Sequence, residues 1–319
     1  MKLLLRLVFL CLSVLVMGFS PVSAGEVLKV HVSIPPQKYF VERIAGDLAL
    51  VDVLVKPGKS PATYSPTPAQ IKSLSRADLY FRIGVPFENG FLHNIESIAQ
   101  NIRLVDCRKG IRLRQMQAHV HEEKGHGQED HEAEDQDHDG DHHEDDHHEG
   151  EDHSHTGKDP HIWMSPKLVK IQARTILETL TAIDPDHQGI YEDNYTAFIQ
   201  DLDDLDTRLA QTLSPYKGEN LFVFHPAFGY FTDAFGMHQI AVETMGKSPK
   251  GKDLAAIIKL AKKENVRVIF VQPQFDKHAA GKIASAIKGH VVSIDPLAYD
   301  YLANMEAMAK TIAQNMNPQ

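Results

Sequence analysis

The chain has 319 residues, with 33 Lys and Arg against 43 Asp and Glu, and a formal net charge of −10 with its 19 histidines neutral. This acidity argues against a nucleic-acid partner and for attraction of cations. There are two cysteines, Cys11 and Cys107, and only the second lies beyond the amino-terminal apolar segment. A disulfide scaffold is therefore excluded, and a length sufficient for two ordinary domains must be stabilised by apolar cores.

Residues 1–24 have the pattern of a cleavable secretory signal. Lys2 and Arg6 precede an apolar run over 7–19, and the small residues at Val22-Ser23-Ala24 place the cut after Ala24. The run is too short and too poorly flanked for a membrane span. Val8-Phe9-Leu10 ahead of Cys11 lacks the small residues expected before a lipid-modified cysteine. The expectation is an exported, soluble chain.

Residues 25–185 form the first expected lobe. β-rich runs at 28–33, 51–55, 79–83 and 103–106 alternate with helical stretches at 38–45, 68–75 and 88–99. This alternation predicts a mostly parallel sheet covered on both faces. Glu88 falls in the first turn of its helix, where an acid favours the dipole.

The lobe is interrupted by a tract at 119–158 dense in His, Asp and Glu. Positions 119–155 alone hold eleven histidines, sixteen carboxylates and one lysine, so the rest of the mature chain is left with a charge of about +3. Such a composition cannot bury enough apolar surface to offset chain entropy, which predicts disorder. Disorder does not explain the histidines, which are mostly neutral at pH 7 and can coordinate a borderline cation such as zinc. His142, His143, His147, His148, His153 and His155 are the auxiliary ligand candidates.

In the expected linking segment, 186–214, Tyr191, Tyr195, Phe198, Leu202, Leu205, Leu209 and Leu213 recur at spacings of four and three. That is the stripe of one amphipathic helix roughly 40 Å long, enough to reach across two lobes. Periodicity alone allows equally a core helix within one domain. Residues 215–319 repeat the α/β rhythm, with apolar runs at 221–224, 239–242, 266–271 and 291–294 and helical stretches at 252–263 and 277–288.

Three side chains sit where open α/β sheets place ligands, beyond a strand or in a turn. His225 follows Leu221-Phe222-Val223-Phe224 and precedes Pro226; Asp295 follows Val291-Val292-Ser293-Ile294 and precedes Pro296; His161 follows Pro160 where the acidic tract ends. Two imidazoles and a carboxylate make a reasonable zinc set. Each alone is as well explained as a turn or capping residue. His31, His93, His187, His238, His278 and His290 are isolated and read as structural.

The combined context resembles the metal-binding solute receptors of ABC transporters that import zinc or manganese. The matching stretches are Lys56-Pro57-Gly58, Tyr64-Ser65-Pro66-Thr67-Pro68, Ala77-Asp78-Leu79-Tyr80, Asp159-Pro160-His161-Ile162-Trp163, Phe224-His225-Pro226, Gln272-Pro273-Gln274-Phe275 and Ile294-Asp295-Pro296-Leu297. The resemblance implies a periplasmic α/β protein of two lobes with mostly parallel sheets, joined by a long rigid helix, with the metal in the cleft between lobes. It implies His161, His225 and Asp295 as ligands, Zn2+ as the carried ion with Mn2+ or iron as the rival, an inner-membrane ABC permease as partner, and a monomer.

The family's first histidine is missing. Its place in Pro61-Ala62-Thr63-Tyr64-Ser65-Pro66 is taken by Ala62, which cannot coordinate. Water, a tract histidine, or an oxygen of Ser60, Thr63 or Tyr64 could complete a four-donor shell. Two further functions stand against the receptor: a stand-alone periplasmic zinc buffer or chaperone, and a zinc hydrolase. The hydrolase is disfavoured because there is no His-Glu-x-x-His helix and no evident general base.

Overall fold

The computed structural model describes residues 27–90, 102–116, 157–243, 251–275 and 277–316. The signal segment, His93 and the six tract histidines named above lie outside these residues.

The first sheet comprises β1 (Leu28–Val32), β2 (Ala49–Val53), β3 (Leu79–Arg82) and β4 (Arg103–Asp106) in the order β2-β1-β3-β4, with parallel pairing throughout. Two connecting helices are α1 (Pro35–Ala45) and α2 (Pro68–Leu74). Both start at proline, which fits the first helical turn where no N–H is needed. Thr67 caps α2 in a reciprocal box, its Oγ1 accepting from the Gln70 N–H at 3.3 Å while the Thr67 N–H donates to Gln70 Oε1 at 3.0 Å.

Residues 86–90 are helical. Glu88 does more there than face a helix dipole. Its buried carboxylate accepts from the Ile83 N–H at 3.0 Å and the Gly84 N–H at 2.7 Å, and also from the Ser33 hydroxyl. It therefore closes the loops beyond β1 and β3, where the strand order reverses. Burial raises its pKa, opposed by those hydrogen bonds. Cys107 follows β4, buried and unpaired, and burial pushes its thiol well above the usual range.

Beyond the tract come α3 (Pro166–Ile183) and α4 (Gln188–Leu213). The expected stripe on α4 is buried at Tyr191, Phe198, Leu202, Leu205, Leu209 and Leu213, whereas Tyr195 is only partly covered. The second sheet holds β5 (Asn220–Val223), β6 (His238–Ala241), β7 (Val268–Val271) and β8 (His290–Ser293), again parallel, in the order β6-β5-β7-β8. Its helices are α5 (Gly229–Phe235), α6 (Gly251–Lys263), α7 (Lys277–Ala286) and α8 (Tyr301–Asn315). Helices α3, α5 and α8 are not among the expected helical stretches.

The long helix α4 packs against α1 and α3 of the first lobe and α8 of the second. One apolar core runs without a break from Val30, Phe40 and Phe81 of the first lobe through Phe198 and Leu205 to Phe228, Phe270 and Ile312 of the second. A smaller core of Phe222, Phe224, Ile257, Ile269 and Ile283 covers the opposite face of the second sheet. Close-packed interiors resist continuous deformation, so this shared core limits how far the lobes can separate.

Candidate metal centre

His225 lies just past β5, beside the point where the order of the second sheet reverses, and His161 lies where the chain re-enters the fold after the tract. Their rings face each other edge to face with centroids 5.3 Å apart. Each is held by a carboxylate that sequence reasoning missed. His161 Nδ1 is 2.7 Å from Asp159 Oδ1, which also accepts from the His161 N–H at 3.0 Å. His225 Nδ1 is paired with Glu243 Oε1. Both carboxylates are buried.

An imidazole whose Nδ1–H donates to a carboxylate is fixed as the tautomer with a bare Nε2, which is the form that binds a metal. Neither Nε2 has a hydrogen-bond partner among the described residues. Asp159 could have been found from its place two residues before His161. Glu243 had the same signal as Asp295, an acid just past a strand end.

One segment beyond β7 positions both groups of the second lobe. Gln272 accepts the His225 N–H at 3.2 Å and donates to the His225 carbonyl at 2.8 Å. Phe275 stacks on the His225 ring, centroids 4.6 Å apart and planes inclined by 22°. Gln274 donates to Asp295 Oδ1 at 2.9 Å, and the Leu297 N–H donates to the same oxygen at 3.0 Å, leaving Oδ2 without a hydrogen bond among the described residues.

Trp163 then ties the His161 segment to the Asp295 segment, its indole N–H donating to the Pro296 carbonyl at 2.8 Å. The structure thus joins His161 directly to His225, and Asp295 to them only through these neighbours. Among the described residues, no three His, Cys, Asp or Glu side chains stand close enough together to hold an ion as they are.

Ala62 is exposed. Of the oxygen donors near it, the Tyr64 hydroxyl is engaged, 2.6 Å from the Leu54 carbonyl and 2.7 Å from Gln70 Oε1. Three other described histidines have local partners or packing of their own. His31 is packed in β1, His187 pairs with Asp184 at 2.7 Å, and His290 lies 3.2 Å from Asn315 Oδ1.

Burial lowers the His225 pKa, with the Glu243 hydrogen bond opposing and His161 assisting. The folded chain therefore takes up this proton less readily than the unfolded chain does at 6.5. The contribution to stability is complete above pH 6.5 and is lost as pH falls through the lower folded value. The metal-free protein is expected to lose stability below pH 6.5, by at most about 1.4 kcal/mol per pH unit for one proton. Urea unfolding at several pH values checks this, and an undiminished slope in His225→Gln would assign the effect to other groups.

Two parallel α/β lobes packed on a shared long helix, with a facing pair of imidazoles and a carboxylate beyond the strand ends, define a two-lobed fold of the solute-binding-protein class. The sequence profile of the periplasmic zinc-uptake complex component A family, ZnuA, matches residues 30–315, and the chain belongs to that family. The high-affinity zinc uptake system protein ZnuA of Paracoccus denitrificans (strain Pd 1222) is 35% identical over 281 residues, covering 85% of this chain and 84% of its own length. A crystal structure of ZnuA superposes with a TM-score of 0.77 at 34% identity, covering 91% of this chain and 99% of the other. A zinc-bound deletion mutant of ZnuA gives a TM-score of 0.77 at 34% identity, covering 92% and 100%.

Proposed function

We propose that this chain captures one zinc ion in the interlobe cleft through His161 Nε2, His225 Nε2 and Asp295 Oδ2, and hands it to the permease of an ABC importer. The observation that carries this reading is the pair of facing imidazoles, each with Nδ1 spent on a buried carboxylate. Membership of a zinc-uptake family supports it. Two neutral nitrogens favour zinc over manganese, which suits oxygen-rich sites. Asp295 joins the histidines when the cleft tightens on the ion, and water or a tract histidine takes the place that Ala62 leaves open.

The same reading takes residues 1–24 as an export signal, 25–185 and 215–319 as the lobes, and 186–214 as their link. The mature chain works in the periplasm as a monomer and catalyses nothing. No described helix is long and apolar enough to cross a membrane. His142, His143, His147, His148, His153 and His155 add weaker sites that collect zinc.

Native mass spectrometry of the mature chain, offered zinc and manganese together, is expected to find one tightly held zinc and further weakly held ions. Deleting 119–155 is expected to keep the first and remove the others. Retention of manganese in preference to zinc would overturn the assignment, and an unchanged ion count after the deletion would remove any role for the tract.

A further inference from the structure

We infer that Arg114 is a positioning residue for the metal site, held in a notch at Gly229 from which its guanidinium keeps the Asp159 carboxylate against His161. The inference rests on His161 being a metal ligand.

Asp159 is buried, and its Oδ1 is used twice on His161, through the backbone N–H and the ring nitrogen. Its Oδ2 is buried and accepts no hydrogen bond. A buried carboxylate left in this state needs a nearby cation, because neither solvent nor a donor offsets its charge. Arg114 supplies it, with Nε 3.9 Å from Asp159 Oδ2. The same nitrogen lies 3.6 Å from Asp233 Oδ2 on α5, and the guanidinium carbon is 5.9 Å from the centre of the Tyr230 ring.

The two residues are also closed into a ring by backbone and hydroxyl bonds. The Asp159 N–H donates to the Arg114 carbonyl at 2.9 Å. The Arg114 N–H donates to the Tyr230 hydroxyl, which donates onward to the Asp159 carbonyl, both at 3.0 Å. Arg114 and Asp159 flank the two stems of the 117–156 segment, bridged antiparallel at Gln115 and Lys158.

Space for the guanidinium exists because residue 229 has no side chain. A Cβ there would stand 1.6 Å from Arg114 Nη1 and 3.0 Å from Asp159 Oδ2. Arg114 Nη1 is itself buried without a hydrogen bond. A flexible arginine would turn that group to water unless something else retained it, and the charge of Asp159 is what does so. Without the guanidinium, the carboxylate is no longer pinned against His161 Nδ1, and the Nδ1–H tautomer that exposes Nε2 is no longer enforced.

The test compares zinc affinity, by competition with a chromophoric chelator, in the mature chain and in Arg114→Ala, Arg114→Lys, Gly229→Ala, the Arg114→Ala/Gly229→Ala pair and His161→Ala. Arg114→Ala is expected to weaken binding roughly 10–100-fold, as loss of a partner behind a ligand does. Arg114→Lys is expected to recover part of it. Gly229→Ala keeps the charge but evicts it, so it should match Arg114→Ala, and the pair should be no worse than either alone.

Long-range ¹⁵N spectra of the zinc-free proteins should show the His161 Nδ1–H tautomer lost in both single alanine variants. Wild-type affinity in both, or additive losses in the pair, would overturn the inference. If Arg114→Ala fails to fold, Gly229→Ala decides alone, since alanine suits the first turn of a helix. Unchanged affinity in His161→Ala would instead refute the site, and is distinguishable from failure of the Arg114 role.

Discussion

Replacing His225 with alanine is expected to lower zinc affinity by more than about a hundredfold, beyond the roughly 10–100-fold typical of losing a partner behind a ligand. In the proposed site the ring is one of two nitrogen donors, and its removal would leave His161 and Asp295, too few for a tetrahedral ion to be held by protein alone. His161→Ala should behave alike. Because a ligand stabilises the folded state in proportion to the logarithm of its concentration over Kd, zinc should no longer raise the unfolding temperature of either variant at concentrations that saturate the wild type. His290→Ala, on an exposed residue at the far end of β8, should bind as the wild type does. A His225→Ala protein that still takes up one zinc with near-native affinity would move the site elsewhere, the tract being the first place to look.

The second large effect belongs to Glu243, whose substitution should reach the metal without touching it. This carboxylate is buried, one oxygen is engaged by His225 Nδ1, and the other accepts no hydrogen bond. No lysine or arginine among the described residues is paired with it. Its charge is therefore poorly compensated until a dication arrives at the opposite side of the imidazole, which couples zinc binding to folding stability. Glu243→Ala is expected to weaken zinc binding about 10–100-fold. It should also cost the metal-free protein little stability, since an uncompensated buried charge is removed along with a hydrogen bond. The gain in unfolding temperature on adding zinc should shrink accordingly. Glu243→Gln should fall between, because its Oε1 can still accept from Nδ1–H but carries no charge. Calorimetric scans with and without zinc measure both quantities. If Glu243→Ala bound zinc as tightly as the wild type, the outer carboxylate would have no part in affinity, and His225 would have to be oriented by Gln272 and Phe275 alone.

Periodicity and strand-end position made most of the secondary structure and the three ligand candidates legible before any coordinates. The eight strands lie within two residues of their expected bounds, because an apolar run between turn residues is a local signal. The stripe on α4 was equally plain, and the packing of that helix against both lobes settled what its spacing left open. Helices α3, α5 and α8 escaped notice: α5 has only seven residues, α8 is terminal, and the buried face of α3 carries the polar Gln172 and Thr179, which blur its apolar stripe.

Sequence by itself determined the chemistry on offer: two imidazoles and an acid at strand ends, an acidic histidine tract beside one of them, and no histidine at Ala62. Tertiary structure alone decided which nitrogen of each ring is left for a metal. For His161 that choice rests on Asp159, two residues away, and for His225 on Glu243, 18 away; how the rings are placed rests also on Gln272, 47 from His225, and on the Trp163 bond to Pro296 across 133 residues. The distant pairings are set by the order of strands in a sheet and by which lobe faces which, and local spacing names candidate acids without saying which ring each one meets. Arg114 belongs to the same group: its place is fixed by the missing side chain of a glycine 115 positions away, a vacancy that only the packed fold reveals.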